Sequence, residues 1–343
     1  MLQKFTLLFF LLYIPFCTYS QTLSATVVDE NNEPVLGASV YFDKTTIGVV
    51  TNSEGRFSIN VPENIAFPEL VISYMGYESI VIKNLGELNE VYTLKLKSNV
   101  LETVKLYTQH FSREQMENAF KEHFLGIGRA AKDCEILNIE DLILYYTTED
   151  NTLHAEAYNP IKVKNDYLGY NITFDLKEFT VSFRGKSITY KDFRQSYYNG
   201  YSFYEDINSD LVERRNKTYY GSKEHFFKSL IDDQIVNTDY LLHYKGSFRQ
   251  PEDIFEITQL NQNLFEISLQ KDISEDTSLA GPVELVVKRR KEHTIVRFLK
   301  NSFFVDKYGK DLDYKPLLFI GEFAQYKVAR TLPSNFVVIK ENN

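Results

Sequence analysis

The 343-residue sequence predicts a β-rich chain, with an N-terminal β-sandwich followed by a C-terminal α+β domain that has a large antiparallel sheet and a few helices. Three observations predict this. Between Glu33 and Ser79 the runs EPVLGASVYF, TNSEGRFSINV and LVISYMGYES bring apolar residues to alternate or nearly alternate positions, the period of a half-buried strand, with turn residues between them. The chain has 24 Tyr and 26 Phe but no Trp and only 9 Pro, which suits pleated strands carrying aromatic cross-strand pairs. Near Phe111 the apolar period changes from two to three and four, so helices belong to the second half.

Residues 1–20 form a targeting segment rather than part of the fold. Lys4 supplies the positive start, Leu7 to Phe16 the apolar run, and Thr18-Tyr19-Ser20 the small-residue cleavage site. Export follows as an expectation, with the protein in the periplasm, at the outer membrane or on the cell surface. Cys17 is preceded by Pro15-Phe16, too bulky for a lipid-attachment motif, so cleavage after Ser20 is expected without lipidation. No later stretch approaches the roughly 18 apolar residues of a membrane helix, and no transmembrane segment is expected after signal cleavage. Cys134 is then the only cysteine, which excludes an intrachain disulfide and cysteine-based zinc sets. It lies in an apolar run and reads as a buried small hydrophobe. The six His are scattered without an HExxH pair, and no metal or other cofactor is expected. The net charge of −9 is spread evenly, with +1 from Lys4 in residues 1–20, −5 on residues 21–106 and −5 on residues 107–343, so nothing resembles a nucleic-acid footprint.

In residues 21–106, Val35, Ala38, Val40 and Phe42 and then Phe57, Ile59 and Val61 mark strand faces. Pro34 with Gly37, Asn52 to Gly55, and Gly76 supply turns or a bulge. The order Asp29, Pro34, Leu36-Gly37-Ala38, Val40, Thr51, Gly55-Arg56-Phe57 and Tyr74-Met75-Gly76-Tyr77 resembles a carboxypeptidase regulatory-like domain. The resemblance implies a transthyretin-like sandwich, found as an add-on to peptidases and to TonB-dependent receptors of Bacteroidota, and it brings no catalytic residues. Asn32 stands where that pattern usually has Gly and Asn52 where it usually has Asp, and both still suit turns. Asp29 to Glu33 offers several oxygens without EF-hand spacing, and reads as a turn rather than a calcium loop. Val81-Ile82 and Val91, Leu94 and Leu96 close the sandwich, and Asn99 to Tyr107 is its last strand or a linker.

In residues 107–343, Ser112 with Gln115 three residues on marks a helix start. Met116, Ala119, Phe120, His123, Phe124 and Ile127 form its apolar stripe, which makes His123 a core residue rather than a catalytic one. Strands follow at Ile136 to Tyr146, Leu153 to Tyr158, Ile161 to Val163 and Tyr170 to Phe183, and Tyr197 to Tyr201 carries an Asn-Gly hairpin signal. Leu211 to Asp233 predicts two short helices hinged at Gly221-Ser222, with Ser222 capping the second and Phe226, Phe227, Leu230 and Ile231 on its buried face. Further strands are expected at Tyr240 to Tyr244, Phe255 to Leu260, Leu264 to Leu269, Val283 to Val287, Thr294 to Phe304 and Leu317 to Val328, with Asp272 to Pro282 as the longest loop. The stretches FLGIGRAAKDCEILN, NDYLGYNITFDL, RRNKTYYGSKEHFF and ARTLPSNF resemble the uncharacterised domain that follows a regulatory-like domain in secreted Bacteroidota proteins. That resemblance implies an architecture and no chemistry.

No nucleophile elbow, Walker loop or dinucleotide fingerprint occurs. Pairs such as Asp232-Asp233, or Asp311 and Asp313, read as solvated turn residues. One window stands out: Glu213 to Lys228 holds five basic against two acidic residues, interleaved with aromatics. In the packing reading the rings face inward and the Arg and Lys stems cover the helix pair. In the binding reading Arg214, Arg215, Lys217, Tyr219, Tyr220 and Lys223 receive an anionic glycan or a carboxylate-bearing envelope protein. The expected function is a non-enzymatic cell-envelope binding or structural protein. The alternatives are a hydrolase without a sequence signature and an accessory component of a TonB-dependent outer-membrane transporter.

Overall fold

This computed structural model describes residues 21–97, 110–276, 281–312 and 316–339. The expected signal segment with Cys17, the Asn99 to Tyr107 strand or linker, and Asp313 lie outside the described residues.

The sandwich forms as the alternation predicts. One sheet has β1 (Thr22–Val28) between β4 (Arg56–Asn60), antiparallel, and β7 (Val91–Thr93), parallel. The other runs in the order β3 (Gly48–Val50), β2 (Ser39–Phe42), β5 (Leu70–Ser73) and β6 (Ile80–Ile82). Leu23, Val27, Phe57 and Ile59 from the first meet Val40, Phe42, Leu70 and Ile72 from the second in one core. Asn32 adopts a positive φ of 62°, the conformation for which its short amide is the usual substitute for glycine. The Asp29 carboxylate accepts the Asn31 and Glu33 N–H groups, so this loop is a turn built on one side chain. Asn52 does the same for Glu54 and Arg56.

The second half opens with α1 (Arg113–Phe124), where the Ser112 hydroxyl accepts the Gln115 N–H and the Gln115 side chain accepts the Ser112 N–H. A short α2 (Arg129–Lys132) leads into a six-stranded antiparallel sheet. It contains β8 (Cys134–Ile136), β9 (Leu142–Thr147), β10 (Thr152–Ala157), β11 (Ile161–Asn165), β12 (Tyr170–Phe183) and β13 (Phe193–Asp206). Here β12 pairs with β11 and then β10 along one edge, and with β13 along the other. The apolar stripe of α1 docks on this sheet, with Phe120 against Phe179 and Phe124 edge-on to Phe174. His123 is buried among Phe183, Tyr190 and Phe193, its Nε2 has no hydrogen-bond partner among the described residues, and burial followed by the nearby Lys327 charge lowers its pKa to about 4. Cys134 packs against the same core and its thiol is pushed up to about 12, chiefly by burial.

Two strand expectations need correction here. Asn199-Gly200 makes no turn: it lies inside the 14-residue β13, with neither residue at positive φ. A Cβ on Gly200 would sit 2.3 Å from the Asp175 carbonyl oxygen, so this glycine serves a close approach beside the bulge at Leu176–Glu178. The connection to β12 is instead the segment around the 3-10 turn Tyr190–Asp192. The run Ile136 to Tyr146 is also broken, by a 3-10 turn at Ile139–Asp141.

The rest of the chain builds a second core. The helices α3 (Val212–Tyr219) and α4 (Lys223–Ile231) are hinged at Gly221-Ser222 and Ser222 caps α4, as predicted. A five-stranded sheet has the order β15 (Ser247–Arg249), β14 (Tyr240–Tyr244), β18 (Glu284–Arg289), β19 (Glu292–Phe298) and β21 (Leu317–Gly321). A three-stranded one has β16 (Phe255–Asn261), β17 (Leu264–Leu269) and β20 (Ser302–Asp306). The expected strand Thr294 to Phe304 is thus divided between the two sheets. The expected loop from Asp272 begins inside the helical turn α6 (Lys271–Ser274), which follows α5 (Pro251–Ile254). Phe226, Phe227 and Leu230 of α4 lie in the core between these sheets.

The sandwich is stitched to the six-stranded sheet through its β2–β3 loop. Lys44 N–H donates to the Ser202 carbonyl (2.7 Å), Tyr204 N–H to the Thr45 carbonyl (2.9 Å), and Ser202 N–H to the Asp43 carboxylate (2.8 Å). Tyr41 packs on Phe203, with ring centroids 5.3 Å apart. Asn335 closes the seam by bonding Thr46 and Asn64.

Replacing Gly200 by Ala is expected to cost more than about 2 kcal/mol, read from the urea midpoint, because backbone rather than a flexible side chain occupies the space. An unchanged midpoint would restore the Asn-Gly turn. For His123 the folded pKa of about 4 lies below the ordinary 6.5. The unfolded chain therefore binds the proton first, and stability falls as pH drops from 6.5 towards 4. The difference in urea midpoint between pH 7 and pH 4.5 should shrink in His123→Phe, and equal slopes in both proteins would refute this account.

Candidate functional site

The six residues singled out between Arg214 and Lys223 divide into two groups. Arg215 is 5% exposed and belongs wholly to the fold. Its guanidinium pairs with both Asp206 oxygens (2.7 and 2.9 Å) and donates to the carbonyls of Leu168, Gly169 and Asn208. It also lies 4.0 Å over the Tyr170 ring. The hydrogen bond from Arg215, ahead of every other influence, holds the Asp206 carboxyl below the usual range. Arg214 donates to the Tyr167 carbonyl and covers that ring. Lys223 is paired with Asp311, which keeps its amine charged against the burial that opposes it. Tyr219 packs on His225 and Phe336, and burial pushes its phenol up to about 12.

Lys217 and Tyr220 face elsewhere, onto an open cleft of about 810 Å³. The opposite wall is the two-residue turn between β18 and β19, which brings Arg289, Arg290 and Lys291 into the cleft beside Glu292. Asn237 to Asp239, Tyr326 and Arg330 complete it. Arg290 pairs with Asp239 at 3.5 Å, both side chains exposed, and Arg330 is fixed by Glu322 (2.7 Å) and by the Tyr326 ring at 4.0 Å. Arg290 also holds a φ of 54° at a turn position that favours glycine. A strained cation at the lip of a cleft is the kind of outlier that gathers at binding sites.

Arg289 is the central group. It is half-buried, its Nε donates weakly to the Thr238 carbonyl (3.3 Å), and its guanidinium lies over Tyr240. Among the described residues no carboxylate forms an ion pair with Arg289 or with Lys291. Gly221 makes room for it: at φ +103° a side chain there would be strained, and its Cβ would meet Nη1 at 3.1 Å. His225 lies below. Its Nδ1 is within reach of the Gly221 N–H (3.3 Å) and the Tyr240 hydroxyl (3.0 Å). A nitrogen that accepts from an amide carries no proton, so the proton of the neutral ring sits on Nε2, and His225 is one of the residues that line the cleft. Burial, then the Arg289 charge, lowers the His225 pKa to about 4 and keeps the ring a neutral donor. The cleft thus offers a fixed cation, mobile cations, a neutral N–H and two Tyr faces, a set suited to an anion. Among the described residues no group of three or more His, Cys, Asp or Glu could hold a metal ion.

The helix window pointed to one wall only. The Arg289-Arg290-Lys291 triplet was the available signal for the other, three adjacent cations in an acidic chain. It also reads as an ordinary solvated turn.

Arg215→Ala is expected to lower stability by about 3 kcal/mol, since it strands three carbonyls and the Asp206 carboxylate. Lys217→Ala, an exposed change, should stay within about 0.5 kcal/mol. Denaturant titration of both variants checks this, and a neutral Arg215→Ala would return that residue to the list of ligand contacts.

No helix among the described residues is long and apolar enough to cross a membrane. No curated protein matches the chain. A family match does exist at the sandwich and stops short of the cleft: residues 23–106 match the CarboxypepD_reg-like domain family, and the chain carries a domain of that family there.

Proposed function

We propose that this is an exported, non-enzymatic binding protein of the cell envelope, whose ligand presents an anionic group to the cleft between α3–α4 and the β18–β19 turn. The single observation that carries the reading is Arg289, a half-buried guanidinium with no carboxylate partner among the described residues. A guanidinium does not discharge in a protein, so in this position it stays charged and attracts an anion from outside the fold. Lys291 and Lys217 add steering, and the His225 Nε2–H adds a directional donor. The regulatory-like domain supports the assignment to the envelope as a companion module without catalytic residues of its own. An anionic glycan and a carboxylate-bearing envelope protein both present the required group.

Calorimetric titration with hexanoate and with hexanamide tests the charge requirement. Hexanoate should bind and weaken with added salt, hexanamide should not bind, and Arg289→Gln should reduce hexanoate affinity about tenfold or more, as for loss of a charge-assisted hydrogen bond. Equal binding of acid and amide, or an unaffected Arg289→Gln, would remove the basis for this function.

A further inference from the structure

Next to the cationic cleft lies a second groove of about 470 Å³, and the two share Asp239 and Arg290 as a common wall. The strand register explains their proximity. Tyr240 of β14 is opposite Arg289 of β18 and Leu242 is opposite Arg249 of β15, so both openings lie at one end of the five-stranded sheet. In contrast to the cleft, the groove is chiefly apolar. Leu241 is 49% exposed and Phe248 is 50% exposed, and Phe248, opposite His243, lies diagonal to Leu241 on the outer face of the sheet. Ile235 and Pro251 also line it.

We propose that cleft and groove are two parts of one site, and that its ligand is a single-chain anionic amphiphile. The carboxylate or phosphate head sits at Arg289 and Lys291, and the chain crosses the Asp239–Arg290 pair to cover Leu241 and Phe248. The proposal rests on the anion-binding reading of the cleft and adds a requirement to it. A sugar acid satisfies Arg289 but leaves aliphatic groups such as Leu241 and Pro251 facing its hydroxyls, whereas an alkyl chain buries them. The occupant is a free monomeric amphiphile rather than a bilayer surface, because the apolar groups line a concavity beside the cations instead of a projecting face.

The test is a homologous series of n-alkyl carboxylates from hexanoate to dodecanoate, each kept below its micellar concentration and titrated calorimetrically into the full chain. Affinity should rise about two- to fourfold with each added methylene. Phe248→Ser and Leu241→Ser, at exposed positions outside the core clusters, should flatten that rise, with dodecanoate losing far more affinity than hexanoate. Hexanoate binding with no dependence on chain length would overturn the amphiphile while leaving the anion site standing. An undiminished rise in the Phe248→Ser, Leu241→Ser double variant would place the chain elsewhere and overturn it equally. So would a flat series in a protein that sediments with vesicles of anionic phospholipid, which would make a bilayer the partner.

Discussion

The pairing of β12 with β13 is the constraint on which the rest of the structure depends. Two 14-residue strands paired along their length present two faces and a free edge, and each has to be covered. The α1 helix covers one face with Phe120 and Phe124. The β2–β3 loop of the sandwich covers the edge of β13 at Ser202 to Tyr204 with backbone hydrogen bonds and buries Tyr41 against Phe203. The regulatory-like domain is therefore a structural neighbour of the sheet, holding an edge that would otherwise invite another strand.

The same ribbon positions the cleft. Tyr170 and Asp206, paired at one end of β12 and β13, together form the seat of Arg215, whose donors also tie the 168–169 turn and residue 208 to α3. With α3 fixed in this way, Tyr220 and Lys217 are held opposite the β18–β19 turn. The cleft thus lies where a helix anchored on β12 and β13 meets the five-stranded sheet. One wall of it is set by a buried arginine whose donors are all engaged within the fold.

What the sequence made legible was local. Ser112 with Gln115, Ser222 after Gly221, and the alternation from Tyr170 to Phe183 each depend on residues a few positions apart, and each forms as its pattern requires. Asn199-Gly200 has the chemistry of a turn and the place of a strand, because the deciding contact is the Asp175 carbonyl some 25 residues earlier. The site followed the same rule. Composition marked Arg214 to Lys223 as one basic unit; Lys217 pairs with Glu213 four residues before it, but Asp206, the Tyr167 carbonyl and Asp311, which hold Arg215, Arg214 and Lys223, are not visible as partners in the linear chain. Arg289 was missed because the lack of a partner is a property of the fold alone.

Several partly enclosed cations among the described residues lack a carboxylate, and two of them, Lys327 and Arg289, show why the cleft, and not another polar cluster, is the stronger site. Lys327 donates to the Ser196 hydroxyl at 3.0 Å, lies over the Tyr198 ring, and has its pKa lowered to about 8 by burial. An amine can relieve the cost of burial in this way, by giving up its proton within an accessible pH range, so its lack of a counterion needs no ligand. Arginine has no such route, since the guanidinium keeps its charge throughout. Arg289 must therefore be compensated by water, by the Tyr240 face or by an anion, and the cleft before it is open. Of the two, only the arginine creates a standing electrostatic demand at an accessible surface, and the adjoining apolar groove gives the ligand that meets it a second place to be held.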